Sequence, residues 1–386
     1  MNINKKVLTN ILPQGFVLTF LILLIGFFAF NASVNMGNRG IAFGFHFLSQ
    51  EASFDITFSL IDYDGSYSYG RAYLVGLLNT LLVSVTGIIF ATILGVIFGV
   101  ARLSDNVLVS KLASVYIETW RNIPLILQLF FWYFAVLRTL PLPENAIPIF
   151  DTLFLTIKGL HTPKFVWENF GTFFSAIIIA LVISYMFFKY AKKEQETSGK
   201  QLPRFWVATG LILILPYLTL LTGIVDLNFE HPELIKLSDT VSTYKGGVTI
   251  IPEFLSLLFA LALYTSTFIA ENVRAGIMGV NKGQREASAS LGLTKGQALR
   301  LVIMPQALRI IIPPTTNQYL NLTKNSSLAA AIAYPDIVLV FAGTALMQTG
   351  RAIEIVSITM FTYLTLSISI SILMNWYNKK IALVEK

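Results

Sequence analysis

The chain has 386 residues, of which 55% are hydrophobic and 13% charged, and its mean hydropathy is +0.68. Soluble domains carry about a quarter charged residues, so this composition excludes an ordinary soluble protein and indicates a polytopic membrane protein. The net charge of +7 does not indicate nucleic-acid binding, because the basic residues lie at the ends of apolar segments rather than in one patch. The absence of cysteine excludes disulfides and thiolate metal sites.

Eight apolar segments are long enough to cross about 30 Å of hydrocarbon as helices. The sequence therefore predicts an all-α polytopic membrane protein with about eight transmembrane helices. Within the second of these segments, Gly95 and Gly99 are four residues apart and form a face of small residues that permits close helix packing. The predicted spans lie near residues 11–31, 72–101, 115–138, 171–189, 205–224, 250–273, 306–330 and 352–376.

The basic residues predict the orientation of the chain, because lysine and arginine are concentrated on the cytoplasmic side of membrane proteins. A cytoplasmic N-terminus places most of them inside, including Lys5, Lys6 and Arg102. Both termini are then cytoplasmic, and residues 32–70, 139–170 and 225–249 form external loops. The basic residues that remain outside are Arg39, Arg71, Arg138, Lys158, Lys164, Lys236, Lys245 and Arg351.

Two segments leave alternatives open. The first span is either a cleaved signal peptide or a retained anchor, and we expect the anchor, although hydropathy alone does not decide. Residues 327–350 are nearly long enough to cross, but Pro335 and Asp336 interrupt the apolar run. We interpret this segment as bent and partly re-entrant, because irregular backbone at membrane depth must be buried in protein or line a cavity.

The predicted spans divide the chain into three parts. Residues 1–71 form an N-terminal anchor helix with its external loop, residues 72–377 a membrane domain, and residues 378–386 a cytoplasmic tail. An external loop and a helix pair at 139–249 look like an insertion in the membrane domain. The loops between the spans are too short for a soluble domain.

The cytoplasmic segment 279–305 has the signals of two short helices. Asn281 and Gln284 have the spacing of an N-cap and its reciprocal third residue, and Thr294 and Gln297 repeat that spacing. Gly292 stands where the first helix must end, because glycine adopts the left-handed region at least cost. These features fit either a solvated loop with ordinary caps or a thin helix that enters a groove on another protein.

The same segment closely resembles the EAA loop of bacterial ATP-binding-cassette importer permeases. The family pattern is Glu-Ala-Ala, a glycine four residues later, and then Ile-x-Leu-Pro. The residues that match or replace it here are Glu286, Ala287, Ser288, Gly292, Val302, Met304 and Pro305. The resemblance implies that this loop, through Glu286, Ala287, Ser288, Gly292 and Pro305, couples the chain to an ATPase.

Residues 79–81, 118–128 and 317–327 resemble the polar-amino-acid branch of these permeases. The extra N-terminal helix and the inserted pair resemble the larger permease of general L-amino-acid uptake systems. The resemblance implies a type I importer permease core, working with two ATPase subunits, a second permease that is identical or homologous, and an external solute-binding protein. It also implies uptake of polar L-amino acids across the bacterial cytoplasmic (inner) membrane, with no cofactor in this chain.

Polar residues within the predicted spans are candidates for the transport pathway, because charges in a bilayer usually face protein or water. After the Pro313-Pro314 pair, Asn317, Asn321 and Lys324 fall on one helical stripe. A stripe this polar cannot face lipid, so it either packs on another polar helix or lines a cavity. We favour a cavity in which Lys324 meets a substrate carboxylate.

Two further sites in the spans carry charge. Glu118 and Arg121, three residues apart, either neutralise each other or contact substrate. Glu271 either meets a substrate ammonium group or pairs with Arg274 at the inner interface. The complete set of candidate pathway residues is Glu118, Arg121, Asn122, Glu271, Asn321, Lys324 and Asn325.

The sequence gives little support to an enzyme. His46, His161 and His231 lie in separate external loops without zinc-ligand spacing. No nucleophile-elbow or P-loop motif occurs, so the energy for transport must come from a partner or from an ion gradient. The alternative to an importer permease is an ion-coupled secondary amino-acid transporter, which would favour inverted repeats and helices broken at the membrane midplane. A membrane scaffold without transport has no use for the polar stripe.

Overall fold

The computed structural model describes residues 5–38, 44–150, 152–167, 169–200, 202–225, 227–238 and 241–381. The predicted external position of Arg39 and the end of the predicted tail, 382–386, lie outside the described residues. The chain divides into two compact units, one formed by residues 1–120 with 264–386 and the other by residues 121–263.

The described part of the chain is mostly helical, as predicted. In chain order the helices are α1 (Lys5–Asn38), α2 (Tyr69–Ala101), α3 (Val107–Asn122), α4 (Leu125–Thr139), α5 (Phe170–Ser198), α6 (Arg204–Leu221), α7 (Pro252–Met278), α8 (Lys282–Ser290), α9 (Lys295–Ala298), α10 (Met304–Asn325), α11 (Val338–Thr349) and α12 (Ala352–Ile381). The division between the units falls inside α3 and α7, so α4, α5 and α6 belong to the second unit.

The described part of the second unit also contains eight short strands, which the predicted all-α fold omits. A four-stranded antiparallel sheet has the order β1-β2-β3-β8, and two separate two-stranded antiparallel sheets pair β4 with β5 and β6 with β7. The strands are β1 (Ile147–Ile149), β2 (Leu153–Thr156), β3 (Gly159–Thr162), β4 (Lys164–Trp167), β5 (Leu227–Glu230), β6 (Glu233–Ser238), β7 (Val241–Lys245) and β8 (Val248–Ile250).

Two of the three predicted external loops, 139–170 and 225–249, are ordered in part by this strand pairing. Gly246 and Gly247 have φ values of +79° and +65° and form the turn between β7 and β8. Glycine adopts this backbone region without steric cost. Such short strands give a weak sequence signal, because alternation over three or four residues does not distinguish a strand from a loop.

The described residues contain five helices long and apolar enough to cross a membrane: α2, α5, α6, α7 and α12. A sixth arises if α3 and α4 are counted as one broken span. The predicted spans 11–31 and 306–330 coincide with α1 and α10, which are helical there. Neither meets the same test of length and composition over the described residues, so the number eight and the membrane anchor stay predictions.

The third predicted span, residues 115–138, is not one continuous helix. α3 ends at Asn122 and α4 begins at Leu125, with a bend of 101° between them. Pro124 lies at the break with ψ of 135° and is the N-cap of α4. Proline has no backbone N–H and disfavours helical geometry in the residue before it, so the helix must stop there.

Helix α2 packs closely against the C-terminal half of α7. A Cβ atom on Gly95 would lie 2.6 Å from Cβ of Ile269, and one on Gly99 would lie 2.7 Å from the backbone oxygen of Ala270. Both distances are shorter than real Cβ atoms allow. The predicted face of small residues is confirmed, and its partner is α7.

The predicted interruption of residues 327–350 is also confirmed. A 3₁₀ helix, Ser326–Ile332, ends at Ala333, whose φ is +60°. An extended turn through Pro335 follows, and α11 begins at Val338. Asp336 is fully buried and accepts a 2.9 Å hydrogen bond from the Leu339 amide, which caps the new helix.

Helix α2 holds this turn in place through two buried polar residues. The Asn79 amide donates a 2.9 Å hydrogen bond to the Pro335 carbonyl, and the Thr80 hydroxyl accepts one of 3.1 Å from the Ile337 amide. In return, the Tyr334 hydroxyl donates to the carbonyl of Asn79 at 3.0 Å. The turn and the first half of α2 therefore form one hydrogen-bonded structure.

Candidate functional site

The cytoplasmic loop begins with a formed N-cap at α8. The side-chain oxygen of Asn281 accepts a 2.8 Å hydrogen bond from the Gly283 amide, so the predicted cap residue is confirmed. The side-chain oxygen of Gln284, which in a full capping box would face the Asn281 amide, accepts a 3.3 Å hydrogen bond from Gln306. This contact ties α8 to the first turn of α10.

Helix α8 ends at the predicted glycine. Gly292 has a φ of +74°, and its amide donates to the carbonyl of Ala289 at 2.9 Å. The Leu293 amide donates to the carbonyl of Ser288 at 3.1 Å. These two bonds form a Schellman motif, which satisfies carbonyls that the helix end would otherwise leave unpaired.

The second predicted cap is formed in both directions. The Thr294 amide donates to the side-chain oxygen of Gln297 at 3.0 Å, and the Gln297 amide donates to the Thr294 hydroxyl at 3.3 Å. The helix that it starts, α9, has only four residues. It continues through a π-helical turn, Leu299–Ile303, into α10. The second short helix is therefore the beginning of a longer one.

The predicted loop residues divide between two faces of the loop. Glu286, Ala287, Gly292 and Pro305 are exposed, whereas Ser288 is 2% exposed. The Ser288 hydroxyl donates to the carbonyl of Arg285 at 2.8 Å. One face of α8 is thus buried at Ser288, and the other face is exposed.

Helix α8 is also hydrogen-bonded to the end of α7. An Nη2 atom of Arg285 donates a 2.6 Å hydrogen bond to the carbonyl of Ile277. Behind α8 lies a cavity of about 710 Å³, lined mainly by apolar side chains and including Leu103, Ile277 and Leu299. Neither Asn321 nor Lys324 lines this cavity, so it is separate from the predicted substrate pathway.

Four charged side chains form a connected network, which we call the ionic junction: Arg102, Glu118, Glu271 and Arg274. Nη1 of Arg102 lies 3.0 Å from Oε2 of Glu271, and Nη2 lies 3.4 Å from Oε1 of Glu118. Nη2 of Arg274 lies 2.5 Å from Oε1 of Glu271. Of the two alternatives for Glu271, the structure therefore shows the pairing with Arg274, and it adds Arg102.

Sequence reasoning missed Arg102 because it was assigned only to the membrane edge. Its partners lie 16 and 169 residues away, so no local spacing reveals them. Its position directly after α2, where the apolar segment ends, was the one available signal. Arg121 and Asn122 are exposed on the last turn of α3.

The polar stripe of α10 exists as predicted. Asn317, Asn321 and Lys324 are all exposed, whereas Asn325 is half-buried. The opposite face of the helix is buried in the first unit through residues such as Leu322. The stripe is therefore an uncovered polar face on a helix that belongs to the membrane domain.

No group of three or more potential metal ligands occurs among the described residues. His161, one of the three histidines considered above, is bound at Nε2 by the Thr156 hydroxyl and at Nδ1 by the Thr249 hydroxyl, at 3.0 and 2.9 Å. Burial, together with the charge of Lys158, lowers the pKa of His161. Its surroundings are those of a structural histidine inside the sheet.

Comparison with known proteins shows to which family the chain belongs. A family model described as the binding-protein-dependent transport system inner membrane component matches residues 201–383. YhdX of Escherichia coli K12, a putative amino-acid ABC transporter permease protein, is 50% identical over 365 residues, which are 94% of this chain and 91% of the relative. The chain belongs to the family of amino-acid ABC transporter permeases. The predicted membership of this family is confirmed.

Other relatives of the permease are also similar over nearly their full length. AapQ of Rhizobium johnstonii, a general L-amino acid transport system permease protein, is 47% identical over 95% of this chain and 91% of its own. BztB of Rhodobacter capsulatus, a glutamate/glutamine/aspartate/asparagine transport system permease protein, is 40% identical over 92% and 89%. The crystal structure of an amino acid ABC transporter with histidines covers 81% of this chain and 95% of its own, with 20% identity and a TM-score of 0.47.

Membership of this family decides between the alternatives left by the sequence. Its members are permease subunits of ABC transporters, in which a separate subunit hydrolyses ATP, so this chain is not an enzyme. The ion-coupled secondary transporter is not supported. The permease is an integral membrane protein, in agreement with its apolar helices.

Proposed function

We propose that this chain provides the transmembrane pathway of an ATP-binding-cassette importer for polar L-amino acids in the bacterial cytoplasmic (inner) membrane. The observation that carries the proposal is its similarity, over more than nine-tenths of its length, to AapQ and BztB, whose names specify general L-amino acids and acidic amino acids with their amides. The chain itself contains no P-loop, so ATP is hydrolysed by a partner subunit.

The cytoplasmic loop is the contact with that ATPase. Helix α8 is capped at both ends, buries Ser288 on one side and is bonded to α7 through Arg285, so it is presented as a rigid, thin element. Its exposed face carries Glu286 and Ala287 and fits a groove in the ATPase. Lys282 pairs with Glu286 at 3.5 Å, but both side chains are largely exposed, so the pair contributes little and can exchange for partner groups.

The exposed stripe of α10 lines the pathway once a second permease subunit, identical or homologous, covers it. Asn321, Asn325 and Lys324 then supply hydrogen-bond donors and one cation to the carboxylate of an amino acid. Glu118 and Glu271 are further candidates for this pathway, and Glu271 is already paired with Arg274 and Arg102. Arg121 and Asn122 are candidates from the sequence alone. The remaining partner is an external solute-binding protein, which delivers the substrate.

The proposed domain organisation assigns transport to one large domain of the chain. Residues 72–377 form the permease domain, with 139–249 inserted. Residues 1–71 supply an anchor helix and an external loop, and residues 378–386 a cytoplasmic tail. Residues 44–68 of that loop pack on α11, where Phe47 stacks on Phe341 with ring centroids 6.2 Å apart.

Uptake into proteoliposomes tests the function. The complex is purified from native membranes with its associated subunits and reconstituted with ATP inside and the solute-binding protein outside. We expect labelled glutamate or glutamine to enter when ATP is present and ionophores have collapsed every ion gradient. Uptake that persists with a non-hydrolysable ATP analogue but stops with the ionophores would contradict the proposal.

A further inference from the structure

The ionic junction joins three helices of the first unit at one point. Arg102 directly follows α2, Glu118 belongs to α3, and Glu271 and Arg274 belong to α7. The junction holds two positive and two negative side chains, so its charge is balanced. Arg102 is the residue that links the helices, because its guanidinium reaches both Glu118 and Glu271.

The two contacts of Arg102 differ in strength. The side chains of Arg102 and Glu271 are 24% and 29% exposed, whereas Glu118 is 63% exposed and its contact is longer. Partly buried charges are screened less by water and salt than exposed ones. The contact between α2 and α7 is therefore the strong one. The weaker contact with α3 is supplemented by the Ser110 hydroxyl, which donates to the carbonyl of Arg102 at 3.0 Å.

The junction is also connected to the cytoplasmic loop. Glu271 lies two turns before the end of α7, and Arg285 binds the carbonyl of Ile277 in the last turn, so α8 is attached to the same segment of α7. Arg274 reinforces that segment, since its Nη1 lies 3.0 Å from the sulfur of Met278. The cavity behind α8 leaves space into which this helix can move.

We propose that Arg102 is a positioning residue for transport, which transmits a displacement of α8 through α7 to α2 and α3. This inference rests on the proposed function, in which an ATPase moves α8. With Arg102 in place, the ends of α2 and α7 move together, because they are joined by the ion pair and packed closely at Gly95 and Gly99. Without it, part of the movement of α7 does not reach the pathway helices, and ATP is hydrolysed without transport.

The informative variant is Arg102→Met, studied in the complete reconstituted complex. It keeps most of the side-chain length and leaves Glu271 paired with Arg274, so no buried charge is left without a partner. We expect assembly with the ATPase to be unchanged and the number of ATP molecules hydrolysed per amino acid imported to rise about fivefold, the lower end of typical coupling factors. The matched control is Lys111→Met, which removes an exposed charge from α3 outside the junction.

Two further variants distinguish a role of Arg102 in transmitting movement between helices from a role in the stability of the protein alone. Arg102→Lys keeps the charge and should restore most of the coupling, whereas Ser110→Ala, which leaves both ion pairs of Arg102 intact, should change the ratio by less than about twofold. A normal ratio in Arg102→Met would overturn the inference, and so would loss of assembly, because Arg102 would then be a structural residue. If the wild-type complex itself imports nothing with ATP, the proposed function fails instead.

Discussion

Ser288 and Gly292 determine how α8 is held at the membrane edge. An isolated helix of nine residues is marginal in water, because nucleation is costly and few internal hydrogen bonds follow. The N-cap, the Schellman motif and the buried Ser288 therefore supply much of its order, with a cap worth about 1 kcal/mol. Ser288 suits its position because its hydroxyl is satisfied by the backbone of the same helix turn.

The positive φ of Gly292 leads to a testable consequence. In Gly292→Ala the new Cβ meets no atom within 4 Å, so any effect comes from backbone strain of about 1 kcal/mol rather than from a clash. We expect the affinity for the ATPase to fall about fivefold, measured by titrating the purified permease with the ATPase. Gly296→Ala is the matched control, because Gly296 is helical and also has open space. Equal affinity in both variants would exclude a role for the left-handed turn.

Lys324 is the cation of the α10 stripe, and it supports a separate prediction. Lys324→Met keeps the apolar stem and removes the charge, so it deletes one charge-assisted hydrogen bond to a substrate carboxylate, worth about 1.5–3 kcal/mol. Uptake should fall about ten- to a hundredfold, while assembly and the ATPase activity stimulated by the binding protein persist. Lys193→Met, at an exposed position on α5, is the control. Loss of assembly would make Lys324 structural, and wild-type uptake would remove it from the pathway.

At the scale of helices and strands, the contact between α2 and α7 is sensitive to side-chain volume. Two glycines, one helical turn apart, allow the backbones to approach so closely that a single methyl group has no room. Such close approach is how membrane helices gain packing energy, since lipid offers no hydrophobic driving force between them. The same contact lies beside Arg102, so packing and charge hold the same pair of helices.

The packing is tested by Gly99→Ala. The added Cβ would meet the carbonyl of Ala270 at 2.7 Å, and a backbone atom cannot rotate away, so the helices must separate. Overpacking of this kind costs about 1–3 kcal/mol. We expect a lower midpoint of thermal unfolding in detergent. Gly210→Ala in α6, whose nearest neighbour is a side-chain carbon at 3.9 Å, should leave the midpoint unchanged or raise it. A normal midpoint for Gly99→Ala would mean that α2 and α7 are less tightly packed.

A structural feature of this protein is predictable from the sequence when it depends on residues that are close together in the chain. The caps at Asn281 and Thr294, the stop at Gly292 and the break at Pro335 depend on residues within a few positions, and all were predictable. The strand pairing of β3 with β8 and the contact of Arg102 with Glu271 join positions far apart in the sequence. No periodicity encodes such contacts, because the chain brings them together only after its helices have packed.

At the scale of the whole molecule, the orientation of the chain in the membrane determines whether the proposed roles of its loops are possible. The loop formed by α8 and α9 can meet an ATPase only if it is cytoplasmic, and an external solute-binding protein can meet only the loops on the opposite side. The predicted distribution of lysine and arginine fixes both at once. The connection between α5 and α6 lies on the same predicted side as the loop, whereas the segment before α2 lies on the other.

This orientation is tested by labelling single cysteines in right-side-out spheroplasts with an impermeant thiol reagent. The chain has no native cysteine, so each variant reports on one position only. Ser198 and Asp62 are both exposed in the structure, and neither is shielded by its own fold. We therefore expect Asp62→Cys to react in intact spheroplasts and Ser198→Cys to react only after permeabilisation. The two positions lie on opposite predicted sides, so the reversed labelling pattern would place α8 outside the cell, where no ATPase can reach it. The proposed coupling loop, the proposed pathway and the proposed role of Arg102 would then all be wrong.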